Sequence, residues 1–126
     1  MDFGHIHHVA LICSDYGVSK RFYTELLGFA VIAETYRAER QSYKLDLRRG
    51  DCQLELFSFP NPPPRVSPEA CGLRHLAFVV DDVEASARAL QAKGVEVETI
   101  RVDELTGKRF TFFKDPDGLP LELYER

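Results

Sequence analysis

The sequence has no tryptophan, one methionine and only three cysteines in 126 residues. Cys13, Cys52 and Cys71 show no C-x-x-C spacing, so the cysteine-rich zinc motifs are absent, and the odd count fits a reducing compartment. Cys13 sits in an apolar run and reads as a small buried hydrophobe. Cys71, beside Gly72, is the candidate reactive thiol. No apolar run approaches the roughly 18 residues that a membrane span requires. The opening stretch MDFGHIHHVALICSD has no basic region and no long apolar core, so it is not a secretory signal, and a cytoplasmic protein is expected. An excess of positive charge is also missing. The formal net charge is −4, which argues against nucleic acid as a partner. Arg37, Arg40, Lys44, Arg48 and Arg49 lie close together, but acidic residues are interspersed, and they read as a solvated strand edge.

What is present is an ordinary globular mixture, 44% hydrophobic and 29% charged, and it is written twice. A shift of 67 positions lays His8-Val-Ala-Leu-Ile-Cys-Ser-Asp15 on His75-Leu-Ala-Phe-Val-Val-Asp-Asp82. The same shift lays Leu54-Glu-Leu-Phe57 on Leu121-Glu-Leu-Tyr124. Each copy reads as strand, helix, then three strands. The first strands are expected at 6–13 and 74–80. The first helix is capped by Ser14 or Asp15, carries Val18, Phe22 and Leu26, and ends before Gly28. The second has capping-box spacing from Asp81 to Glu84, a stripe of Val83, Ala87 and Leu90, and Gly94 at its end. The remaining strands are expected at 29–36, 42–49 and 52–59, then at 95–101, 108–114 and 119–125. Between the copies, Pro60-Asn-Pro-Pro-Pro-Arg-Val-Ser-Pro68 is too proline-dense for a helix or a central strand. The expected organisation is one domain over 1–126, made of module 5–60 and module 72–126 joined by a Pro-rich linker over 60–71.

Strand alternation predicts where the polar groups point. Val9, Leu11 and Cys13 should lie under the first helix, which turns His8 to the other face. Leu54 and Leu56 should turn Glu55 to that same face. The second copy treats His75 and Glu122 alike. Two imidazoles and two carboxylates on one face, related by one repeat, suit a divalent ion such as Zn, Ni, Co or Mn.

The segments HHVALICSDYGVSKRFYTELLGF, QLELF at 53–57, GLRHLAFVVDD at 72–82 and DPDGLPLELYE at 115–125 resemble the vicinal oxygen chelate superfamily, the glyoxalase I and bleomycin-resistance fold. The resemblance covers essentially the whole chain. It implies an α+β fold of tandem βαβββ modules forming a half-open barrel, one divalent metal ion per site, and a homodimer. The ligand set it implies is His8, Glu55, His75 and Glu122. The fosfomycin-resistance and dioxygenase branches use two His and one Glu, so Glu55 favours a glyoxalase-like or epimerase-like site. At the two positions where bacterial glyoxalase I holds glutathione, this chain has Ile12 and Phe59. The implied activity is that of a glyoxalase-type lyase or isomerase, with a metal chelating two neighbouring oxygens of a small-molecule substrate. Glu122, or alternatively Glu55, would move a proton next to the carbonyl. Tyr43, Lys44, Arg74 and Arg109 are candidate contacts for a substrate anion. The alternatives are a thiol transferase, an epimerase or a dioxygenase of the same fold, or a drug-binding resistance protein.

Overall fold

Alternating Val9-Ala-Leu-Ile-Cys13 forms the first strand, β1 (Val9–Cys13), with Leu11 and Cys13 buried and Ala10 and Ile12 exposed. The structure, a computed structural model, describes residues 1–66 and 69–126. Two positions of the expected linker, Ser67 and Pro68, therefore lie outside the described residues. The chain divides into two compact units, Met1–Pro64 and Arg65–Arg126.

In the first unit, the Asp15 carboxylate accepts from the Val18 N–H at 3.2 Å and starts α1 (Tyr16–Arg21). The helix runs on as a π-helical turn over Phe22–Leu26. The buried stripe runs through Ser19, Phe22 and Tyr23, at i, i+3 and i+4. Val18, expected on that stripe, is exposed. Gly28 then adopts φ 77°, where a side chain would be strained. The Arg49 guanidinium occupies the space its Cβ would take, and donates to the Leu27 carbonyl at 2.8 Å. Three strands follow: β2 (Ala30–Arg37), β3 (Ser42–Arg49) and β4 (Cys52–Ser58). The sheet order is β1-β4-β3-β2, with β1 and β4 parallel and the other pairs antiparallel.

The second unit repeats this plan with β5 (Leu76–Val80), α2 (Val83–Ala92), β6 (Arg101–Val102), β7 (Arg109–Lys114) and β8 (Pro120–Glu125), in the order β5-β8-β7-β6. Each unit is a βαβββ module, and the fold is α+β. Two local expectations need correction. The cap of α2 is Asp82, which accepts from Ala85 N–H at 2.9 Å. The helix starts one residue later than a box from Asp81 requires. Asp81 instead pairs with Arg126, and Glu84 with Arg109. The strand expected over 95–101 shrinks to Arg101–Val102. Residues 95–100 are tied to β7 by Glu98 N–H to Phe112 O at 2.9 Å and by the Thr111 hydroxyl to Glu98 O at 2.7 Å, without a continuous ladder.

The leucines that flank the two glutamates form the cores. Leu54 and Leu56 retain 1% exposure each, Leu121 and Leu123 0% and 6%. Full burial of a leucine is worth about 1.5–3 kcal/mol. α1 lies against β4, and α2 against β7 and β8. Among the described residues no helix is long and apolar enough to cross a membrane. The cysteines are free: Cys13 is buried and its thiol donates to Phe57 O at 3.4 Å, burial pushes the pKa of the half-buried Cys52 thiol up, and Cys71 is exposed.

Candidate functional site

The parallel pairing of the first and last strand of each unit fixes where the polar groups meet. Ala10 lies opposite Glu55 across β1 and β4, and Ala77 opposite Glu122 across β5 and β8. Residues directly opposite share a face, and each histidine sits two positions before its alanine. His8 Nε2 thus lies 3.3 Å from Glu55 Oε2, and His75 Nε2 lies 3.1 Å from Glu122 Oε2. Both carboxylates are buried, at 9% and 8% exposure. A buried carboxylate is costly without a partner, and in each unit the imidazole is one such partner.

The surroundings of the two pairs differ. Lys44 Nζ reaches Glu55 Oε1 at 3.6 Å and Asp46 Oδ1 at 2.7 Å. The Asp46 hydrogen bond, more than Glu55, holds the Lys44 ammonium above its ordinary pKa. Among the described residues no lysine or arginine lies within 4.0 Å of a Glu122 oxygen. His8 Nδ1 meets His7 Nδ1 at 2.9 Å, whereas His75 Nδ1 meets Arg74 Nη1 at 3.4 Å. Arg74 is otherwise bound to Glu69, and the edge of Phe112 stands against the His75 ring at 5.2 Å.

Of the four residues expected to meet a substrate anion, the sheets bring Lys44 and Arg74 to the pairs. Tyr43 and Arg109 are placed elsewhere. Tyr43 lies opposite Tyr36 on the helix side of the first sheet and stacks on Tyr16 at 4.3 Å. Burial, reinforced by its hydrogen bond to Glu34, pushes the Tyr16 hydroxyl up. Arg109 alternates with Phe110 and Phe112, so it faces away from Glu122 and pairs with Glu84 of α2. Two residues that the sequence reading missed lie on the glutamate faces. The Arg37 guanidinium lies over Phe57 at 4.9 Å, and that of Arg101 over Phe110 at 4.9 Å. The signal for Arg37 was its position opposite Ser42, which only the β2–β3 register reveals.

The family model of the glyoxalase/bleomycin resistance protein/dioxygenase superfamily matches residues 5–123. The chain belongs to that superfamily. Among its relatives in the superfamily, the uncharacterised protein YwkD of Bacillus subtilis is 63% identical over 123 residues, covering 96% of each chain. A 2-epi-5-epi-valiolone epimerase of Actinomyces sp. is 34% identical over 94% of this chain and 77% of its own. The crystal structure of a glyoxalase family protein from Enterococcus faecalis superposes with a TM-score of 0.94 at 52% identity, over 99% of this chain and 100% of that one. TnmS3, an antibiotic binding protein from Streptomyces sp., gives 0.78 at 30% identity, over 99% and 98%. Members of the glyoxalase superfamily commonly use a divalent metal.

The donor chemistry of the two pairs suits such an ion. Two ligands of one ion bound at about 2.0–2.1 Å lie about 2.8–3.4 Å apart in octahedral or tetrahedral geometry. The nitrogen-to-oxygen separations of 3.3 and 3.1 Å fall in that range. Among the described residues no three His, Cys, Asp or Glu side chains form a group at metal-binding distance, so neither unit offers more than a pair.

Proposed function

We propose that the protein is a metal-dependent lyase or isomerase of glyoxalase type, moving a proton next to the carbonyl of a small substrate. The observation that carries this reading is the duplicated imidazole–carboxylate pair, at the same register in both units and with nearly the same separation. His8, Glu55, His75 and Glu122 are the residues that would hold Zn, Ni, Co or Mn. When bound, such an ion supplies Lewis-acid polarisation of two neighbouring substrate oxygens. Glu122 is the proposed base: one of its oxygens faces His75, and among the described residues no lysine or arginine holds the other. Glu55 is held on both sides, by His8 and by Lys44, which suits a fixed ligand better than a mobile proton carrier. The likeness to an epimerase at 34% identity favours isomerase chemistry. Ile12 and Phe59 give glutathione no polar purchase at the positions where bacterial glyoxalase I binds it.

The test is elemental analysis after incubation with each of the four ions. Wild type should retain about one equivalent per site and lose it with a chelator. His75→Ala should retain none while keeping its melting transition. A wild-type chain that takes up no stoichiometric metal sinks the proposal. The likeness to an antibiotic binding protein supports a second reading, sequestration of a drug-like molecule. Tight ligand binding that a chelator leaves untouched would favour it.

A further inference from the structure

Arg37 ends β2 directly opposite Ser42 on β3. Ser42 and Lys44 share a face of β3, Lys44 lies opposite Phe57, and Phe57 is two residues from Glu55. Arg37 therefore stands on the same face as the His8–Glu55 pair, with Phe57 between them. Its guanidinium lies 4.9 Å from the Phe57 ring centre and 5.6 Å from that of Phe59, and the two rings are stacked at 6.3 Å. Nη2 donates to Ser42 Oγ at 2.8 Å. Nε is buried and has no hydrogen-bond partner among the described residues. Nor does any carboxylate among them pair with Arg37.

The other cations of this sheet are engaged. Lys44 is bound to Asp46 and Glu55, Arg48 donates to Gln53 Oε1 at 3.0 Å, and Arg49 to Leu27 O. A buried N–H without an acceptor is costly. An arginine plane set on aromatic rings, with one edge fixed and no counter-ion, is preorganised for a two-oxygen anion. The second unit supplies the contrast. Arg101 lies over Phe110 and Phe112 in the same manner, but Glu98 pairs with it at 3.5 Å.

We propose that Arg37, held over Phe57 and Phe59, binds the anionic group of the substrate, a carboxylate or a phosphate. The assignment rests on the proton-transfer reading for the substrate's other end, where the neighbouring oxygens lie at the histidine–glutamate site. Glu55 and Phe57 are about 7 Å apart along the strand, so the substrate is a compact acid with the anion several bonds from its hydroxycarbonyl or dicarbonyl group.

The experiment uses probe pairs that differ in the distal anion: dihydroxyacetone phosphate against dihydroxyacetone, and 2-oxoglutarate against 2-oxopentanoate. Affinities are measured by calorimetry on the full chain, metal-loaded and chelator-treated. In wild type, the member carrying the distal anion in at least one pair should bind tighter by about ten- to a hundredfold, and which pair responds identifies phosphate or carboxylate. Arg37→Gln should erase that difference while leaving the affinity for the probe without the distal anion and the metal content unchanged. Arg101→Gln should preserve it. Arg37→Lys should recover only part of it. A wild type without anion preference, or a preference that survives Arg37→Gln, overturns the assignment. If Arg37→Gln fails to fold, the Arg37 Nε–H resonance of wild type decides: it should move on addition of the probe with the distal anion and not of its partner, and a resonance that stays still overturns the proposal. That signal is readable in chelator-treated protein, so a failed metal reading is distinguished from a failed arginine assignment.

Discussion

Position 7 of the chain and position 74 are counterparts under the repeat, and each precedes a histidine of the site. His7 offers His8 Nδ1 another ring nitrogen at 2.9 Å, while Arg74 offers His75 Nδ1 only a donor at 3.4 Å. A histidine that is to keep a lone pair on Nε2 must carry its proton on Nδ1 and give it to an acceptor. His7 provides that acceptor. Arg74 cannot, because guanidinium has only donors. The two modules carry the same imidazole–carboxylate pair in different surroundings: an acceptor stands beside His8 Nδ1, and a donor beside His75 Nδ1. The two copies share a strand register and differ in the single neighbours of their histidines.

The contrast can be broken first at the cores, where the units should behave alike. Leu56→Ala and Leu123→Ala, at equivalent positions, should each cost about 2–5 kcal/mol in denaturant unfolding, because both open a cavity behind a site glutamate. If one substitution is nearly neutral, the units do not share a packing logic.

The contrast is sharpened at the two histidine neighbours. His7→Phe removes an acceptor and should weaken metal binding about tenfold in a chelator-competition titration. Arg74→Gln replaces a donor with a side chain that also accepts, and should strengthen it by a smaller factor. Shifts in the same direction for both variants would refute the tautomer argument.

The smallest effect concerns Glu34, which has no acidic counterpart in the second unit, where the repeat places Arg101. The hydrogen bond from Lys20, then that from Tyr16, holds the Glu34 carboxyl below its ordinary value of 4.5. A depressed carboxylate contributes stability above its unfolded pKa and loses it as pH falls through the folded one. The melting temperature of wild type should therefore drop more steeply from about pH 6 to about pH 3 than that of Glu34→Gln. Parallel curves would show that this exposed cluster contributes nothing measurable, as many surface ion pairs do.

The repeat made the twin register legible from the sequence. One shift aligned both histidines and both glutamates, and the ladders place Ala10 against Glu55 and Ala77 against Glu122. What the sequence hid depends on register that local pattern does not encode. Arg37 read as part of a solvated edge, because only the turn through Ala38–Arg40 and Gln41 sets it opposite Ser42 and over the Phe57 ring. Val18 kept its helical spacing from Phe22, but the buried stripe runs through Ser19, Phe22 and Tyr23 and leaves Val18 on its exposed flank. Residues 95–100 alternate like a strand, yet they hold to β7 mainly at Glu98.

Each donor pair is assembled from the first and last strands of its module, which lie parallel and side by side. A chain emerging during synthesis carries His8 long before Glu55, and the two meet only after every intervening strand has been laid down. A half-made module lacks the carboxylate that completes its pair. On the proposed reading, cation uptake by each pair would wait until its own module is complete, and an assay for it would double as a readout of module folding.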